Sequence, residues 1–183
     1  MNVINSISNK RGNFTVEFAI VGLFLSILFV FSVDVIVKLS IKGKLDRLSY
    51  SLVSILKERT QLYDDDFIIT QLDTSSLAKI ASKSMERTMS SFSDERFGVT
   101  IEELTFKKIG VIDKVISYDY GDRYQCKIIN PLDKSENLSV VTTWNRQASL
   151  FRVTLCYKTD NLIGDFLGID FSNVSSSSVI IGR

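Results

Sequence analysis

The chain contains no histidine, one proline and two cysteines among its 183 residues. Without histidine, the Ser-His-Asp and Cys-His arrangements of nucleophilic catalysis are excluded, and so are most zinc sites. Lysine and arginine number 22 and aspartate and glutamate 21, so the net charge of +1 gives no reason to expect nucleic acid as a partner. No carboxylate pair stands out from ordinary surface acids. We therefore expect no enzymatic activity, no cofactor and no metal.

One long apolar run lies near the N-terminus. Residues 18–33 carry no charge, and twelve of these sixteen residues are Leu, Ile, Val or Phe. On an insertion scale these twelve residues contribute roughly −4 to −7 kcal/mol to the free energy of membrane insertion. About 20 residues cross a hydrocarbon core about 30 Å thick, so we predict one membrane-spanning helix over residues 13–37. A buried core helix of a soluble protein is the alternative, but such helices seldom run this long without a polar face.

The residues before this run distinguish two kinds of membrane segment. A secretory signal peptide has a shorter apolar run followed by small residues for cleavage. Here a polar leader of residues 1–12 ends in Lys10-Arg11-Gly12, and Glu17 stands five residues beyond Gly12. This arrangement resembles the class III signal of type IV pilins and pseudopilins. The resemblance implies that a prepilin peptidase cuts between Gly12 and Asn13, and that Glu17 pairs with the new amine of this or a neighbouring subunit.

The residues around Glu17 indicate one branch of that class. Arg11-Gly12, followed by Val16-Glu17-Phe18-Ala19 and a span rich in Leu, Ile and Phe, resembles the TadE/TadF-type pseudopilins of tight-adherence (Flp-type) pilus systems, and TadF most of all. The match is specific over residues 10–37 and looser beyond them. The resemblance implies a minor pseudopilin that is needed for assembly of Flp-type pili. Its expected partners are the prepilin peptidase, other pseudopilins and pilus-assembly membrane proteins. A filament subunit is the close alternative.

Beyond the membrane, residues 38–183 are predicted to form an α+β head. The helix continues to Leu62, because apolar residues recur at helical spacing, and residues 63–66 form a solvated turn. Thr70 or Asp73 caps a second helix that ends near Phe92. The apolar positions of the two helices are Ile41, Leu45, Leu48, Leu52 and Ile55, and then Leu77, Ile80, Ala81, Met85, Met89 and Phe92.

After Gly98 the apolar period changes to two, which predicts strands. A shift of the apolar positions at Glu102-Glu103 suggests a bulge in the first of them. The last strand reads as a polar half followed by a buried half. Helices followed by a run of strands indicate an antiparallel sheet, so the fold class is α+β and pilin-like. The first predicted strand begins at Gly98. The other predicted strands cover residues 111–118, 124–129, 138–144, 149–158 and 174–181.

Cys126 and Cys156 each lie in a predicted strand. If the head lies outside the cytoplasm, we expect them to form one disulfide, which closes a loop of about 31 residues and contributes roughly 3 to 4 kcal/mol. Two unrelated buried thiols are the alternative. The apolar stretch of residues 161–171 is expected to cover the core, with a contact to a partner subunit or the membrane surface as the other interpretation.

The orientation of the membrane segment has evidence on both sides. The resemblance implies an inner-membrane protein with a single span, its leader cytoplasmic and its head periplasmic, and the cysteine pair suits that compartment. Positive charges oppose it, because they are in excess after the span, at Lys38, Lys42, Lys44 and Arg47. A signal-anchored periplasmic sensor or binding domain, in which the spacing of Gly12 and Glu17 is chance, is the alternative function.

Overall fold

The computed structural model describes residues 11–62, 68–121, 124–161, 164 and 168–182, and begins with one long helix. This helix, α1 (Arg11–Leu62), has 52 residues. At 1.5 Å per residue its length is about 78 Å. The prediction that the membrane segment continues as helix to Leu62 is confirmed. The predicted turn at 63–66 and residues 1–10 of the leader lie outside the described residues.

The second half of α1 packs on the rest of the chain through a broad face. Ser49 at its centre is fully buried, whereas Ile55, which the apolar spacing assigns to the same face, is 50% exposed. The prediction for Ile55 was wrong because α1 contacts two strands at once, and its buried face therefore follows residues spaced by four. The buried apolar residues of α1 are Ile41, Leu45, Leu52, Val53 and Leu56.

The second helix, α2 (Gln71–Thr88), begins at a capping box. The Asp73 backbone N–H donates to Thr70 Oγ1 at 3.3 Å, and the Thr70 N–H donates to Asp73 Oδ2 at 2.9 Å. Of the two caps considered, Thr70 is the one used. The helix ends four residues before the predicted Phe92, because Met89 adopts an extended backbone. Met85 and Met89 are buried in the core as expected, and Ile80 is exposed.

Four strands form one antiparallel sheet in the order β2-β1-β3-β4. The α+β class with an antiparallel sheet is therefore confirmed. Helices α1 and α2 cover one face, where their apolar residues form the main core with alternate residues of β1 and β3. A smaller core on the other face joins Leu104, Leu132 and Leu150. The strands are β1 (Phe97–Lys108), β2 (Val111–Tyr120), β3 (Leu150–Lys158) and β4 (Asn173–Ile181).

Two predicted strands are wrong. Residues 124–130 are irregular, and residues 132–138 form a 3-10 helix followed by a tight turn with a single bridge between Val141 and Gln147. Residues 138–144 are largely exposed, with Leu138, Val140 and Val141 each about half exposed. In residues 124–128 partly buried and exposed residues alternate, because one side of this segment lies toward the second face of the sheet. Alternation alone does not distinguish such a segment from a strand paired in the sheet.

The predicted bulge at Glu102-Glu103 is also wrong. β1 pairs with β3 without interruption from Phe97 to Leu104, and the register shifts lie further on, against β2 between Thr105 and Lys108. The apolar positions change parity because both faces of the sheet are covered. Ile101 belongs to the main core and Leu104 to the smaller one.

Strand β4 differs from its predicted polar and buried halves. Burial alternates along its first residues, with Val174 and Ser176 buried and Ser175 and Ser177 exposed. Ser176 is tolerated inside because the Ser49 hydroxyl and the Asp46 carboxylate of α1 face it. In the preceding apolar stretch, Ile169 and Phe171 are about half exposed, so the described part of it does not cover the core.

The corrected buried face of α1 can be tested with two neighbouring residues. Leu52→Ala removes a fully buried side chain and should lower the free energy of unfolding by about 2 to 5 kcal/mol. Ile55→Ala, the matched control one turn away, should change it by no more than about 0.5 kcal/mol. Denaturant unfolding of the full-length protein in detergent, followed by near-UV circular dichroism, measures both. Equal destabilisation by the two changes would contradict this packing.

Candidate functional site

The first half of α1 forms an uncovered apolar rod. Every residue from Phe14 to Val33 is exposed. Its serine hydroxyls donate to carbonyls of the same helix, Ser26 to Leu23 O at 2.7 Å and Ser32 to Leu28 O at 2.8 Å. The helix therefore satisfies its own polar groups, as a lipid environment requires. Within the described ranges, this is the one helix long and apolar enough to cross a membrane.

The predicted processing site lies in the first turns of the same helix. The backbone of Gly12 and Asn13 is helical, and Glu17 follows with an exposed side chain. Residues four apart lie on the same face one turn apart. The backbone nitrogen of Asn13 and the carboxylate of Glu17 are thus brought to one side of α1. Cleavage after Gly12 and the role of Glu17 stay predictions.

An ion pair marks the point where α1 meets the head. Asp34 is only 7% exposed, and Lys38 Nζ donates to its Oδ2 at 2.6 Å. A groove of about 490 Å³ lies beside this pair, lined largely by apolar residues of α1 and of the chain entering β4. Asp34 was not among the residues to which the sequence assigned a role. The spacing of Asp34 and Lys38, four residues apart on a helix, was the signal that could have revealed the pair.

A polar seam joins α1 to β4. Ser49 Oγ lies 3.3 Å from Ser176 Oγ and 2.8 Å from Ser178 Oγ. Ser176 also donates to the Asp46 carboxylate. We use the name polar seam for these four residues.

The contacts along this interface give the direction of the head. Lys42 Nζ donates to Ser175 O at 3.3 Å, and Ser49 contacts Ser178 further along. As α1 advances away from its apolar half, β4 therefore advances with it. The start of β4 lies at the membrane end of the head, and its last residue, Ile181, lies at the opposite end.

Cys126 and Cys156 form the predicted disulfide, with their Cα atoms 5.5 Å apart. The bond ties the irregular segment 124–130 to β3. Gly98 of β1 lies directly beneath it, since a Cβ at this position would stand 2.6 Å from Tyr124 O and 2.8 Å from Cys156 Sγ. Tyr124 donates its hydroxyl to Asn173 Oδ1 at 2.6 Å, and its pKa is raised by burial and then by the nearby carboxylate of Asp170.

Two buried glutamates anchor connecting segments to the sheet. Glu102 accepts from the Arg152 guanidinium and from the Leu132 backbone N–H at 3.1 Å, and Arg152 Nη1 donates to Asn130 O at 2.6 Å. Glu103, on the other face, accepts from the Ile69 N–H at 2.8 Å. Both carboxylates therefore have structural roles. Neither role was predicted from the sequence, because the partners are distant in the chain.

Comparison with known proteins identifies the family. A family model, TadF or tight adherence pilin protein F, matches residues 5–183. The chain belongs to the TadF family. The resemblance seen over residues 10–37 therefore extends over nearly the whole chain. No curated protein and no solved structure matches it.

Membership of the TadF family gives this protein a role related to tight-adherence pili and involvement in the pilus assembly machinery. The uncovered apolar half of α1 suits a single-pass membrane anchor. In the part of the chain that the structure describes, no group of three or more Cys, Asp or Glu residues is arranged to hold a metal ion.

Proposed function

We propose that this TadF-family protein is a minor pseudopilin needed for assembly of Flp-type pili, and that a prepilin peptidase processes it between Gly12 and Asn13. The observation that carries the proposal is the position of Glu17, one helical turn beyond Asn13 at the start of an uncovered apolar helix. The role is structural, and the protein performs no chemistry of its own.

Cleavage would change the electrostatics of this first turn. In the uncut chain the Asn13 nitrogen belongs to an uncharged amide, whereas in the cut chain it is an ammonium group about 6 Å along the helix from Glu17. When α1 leaves the bilayer for an assembly, its apolar side chains pack against neighbouring subunits. A carboxylate without a partner in such surroundings would cost several kcal/mol. The amine of Asn13 in an adjacent subunit is the partner we propose.

We further propose that the leader is cytoplasmic and the head periplasmic, in the inner membrane. The disulfide supports this orientation, because disulfides persist in oxidising compartments. The opposing positive charges have structural uses in the folded head. Lys38 pairs with Asp34, Lys42 lies 3.7 Å from Asp46, and Lys44 donates to Thr88 O at 2.7 Å. Three of the four cations after the span thus have partners in the folded protein, Lys38 and Lys42 within α1 and Lys44 at the end of α2.

Processing is tested by the mature N-terminus. Protein extracted from the membrane of a host with the cognate peptidase should begin at Asn13, and Gly12→Leu should block the cut because of its bulk at the scissile bond. N-terminal sequencing or intact mass measures both, and Ser26→Ala on the same helix serves as the control that should be cut normally. An intact leader on the wild-type protein would contradict the pseudopilin function and favour the anchored sensor.

Orientation is tested by the cysteines. A thiol reagent that cannot cross the inner membrane should label neither Cys126 nor Cys156 in spheroplasts, and should label both after reduction and unfolding of the exposed head. The reason is that the sulfurs are joined in a disulfide outside the cytoplasm. Free thiols that become accessible only when the membrane is broken would place the head in the cytoplasm.

A further inference from the structure

The turn between β1 and β2 lies at the end of the head opposite the apolar half of α1. Leu104 of β1 pairs with Leu150, which in turn pairs with Ile181 at the far end of β4. From this level β1 continues away from the membrane to Lys108. At about 3.4 Å per residue, the path from Phe97 to Lys108 is roughly 37 Å long. A membrane that holds α1 is therefore remote from this turn.

A second element lies beside the β1–β2 turn. The Gly110 N–H donates to Gln147 Oε1 at 2.7 Å, which joins the turn to the loop of residues 140–147. This loop is braced across its base, because the Thr142 N–H donates to Arg146 O at 2.8 Å and the Ala148 N–H donates to Val140 O at 3.0 Å. We call residues 107–114 and 140–147 together the distal tip.

The braced loop presents the only tryptophan of the chain. Trp144 lies at the apex of the turn closed by the Asn145 N–H donating to Thr142 O, and its side chain is 83% exposed. Asn145 completes the turn with a positive φ of 58°. Such a large exposed aromatic side chain on a fixed turn is typical of binding anchors. The exposed aliphatic residues that share the distal tip are Ile109, Val111, Ile112, Val140 and Val141.

Positive charge surrounds these apolar side chains. Lys107, Lys108, Lys114 and Arg146 carry four positive charges in the distal tip and Asp113 one negative charge, so its net charge is 4 − 1 = +3, against +1 for the whole chain. All four cations are exposed. None of them forms an ion pair within the described residues. The distal tip is therefore complementary to an acidic surface.

We propose that the distal tip binds an acidic protein segment that carries apolar side chains. Trp144 and its aliphatic neighbours supply the apolar contact, and the four cations attract carboxylates and set the specificity. Anionic lipid has the same chemistry, but the membrane that anchors α1 lies at the other end of the head. This interaction goes beyond the proposed function and requires only that α1 is anchored.

Trp144 fluorescence tests the proposal directly, because no other tryptophan contributes. The full-length protein in nanodiscs of zwitterionic lipid is titrated with a synthetic peptide in which Asp and Leu alternate with Gly and Ser spacers. Burial of the indole should shift its emission to shorter wavelength, and added salt should weaken the binding. A peptide with Ser in place of every Asp should bind at least about tenfold more weakly.

Charge variants provide the matched comparison. The triple variant Lys107→Gln/Lys108→Gln/Arg146→Gln should weaken binding of the acidic peptide at least about tenfold. The control Lys79→Gln/Lys127→Gln/Lys158→Gln removes the same charge from exposed residues outside the distal tip and should bind as the wild type does. Equal binding of the Asp and Ser peptides, or equal loss in both variants, would overturn the proposal. A shift with phosphatidylglycerol vesicles but not with the peptide would overturn it in favour of a membrane surface.

Discussion

One unbroken helix must serve two different surroundings, and the rest of the structure depends on how α1 does so. Its residues from Phe14 to Val33 are uncovered and apolar, whereas from Ile41 onward one face is buried against the sheet. The Asp34–Lys38 ion pair lies between these two regions. Because the helix has no break, the packing of its second half determines where the head stands relative to the first half.

That packing combines apolar burial with a small number of directional contacts. The main core supplies most of the burial, and the polar seam of Asp46, Ser49, Ser176 and Ser178 fixes how β4 lies along α1. Hydrophobic contact is non-directional, so a buried hydroxyl network is better suited to set the register of helix and strand. The disulfide and the Glu102–Arg152 pair hold the irregular segments against the opposite face. The two faces of the sheet thus have separate means of closure.

What could be predicted from the sequence is what local pattern determines. The extent of α1, the Thr70 cap and strand β3 follow from spacing and capping residues, and the paired cysteines followed from the expected compartment. The strand predicted at 124–129 was wrong because alternation is the same whether a segment pairs in the sheet or lies across it. The strand predicted at 138–144 was wrong because its apolar residues are exposed around a tight turn with a single bridge. Glu102 could not be assigned, since its partner Arg152 stands 50 residues away. For the same reason the distal tip, which joins two distant turns, was not foreseen.

The central claim is that the carboxylate at the start of the anchor helix serves assembly. Glu17→Ala leaves the cleavage bond, the apolar residues and the head unchanged, so processing, insertion and the disulfide should be normal. The amount of pili recovered by shearing cells of a host with the complete pilus system should fall at least about tenfold, given the several kcal/mol expected for the lost pairing in apolar surroundings. Ser26→Ala, in the same exposed part of α1, should assemble normally. Wild-type amounts of pili from the Glu17→Ala strain would contradict the account.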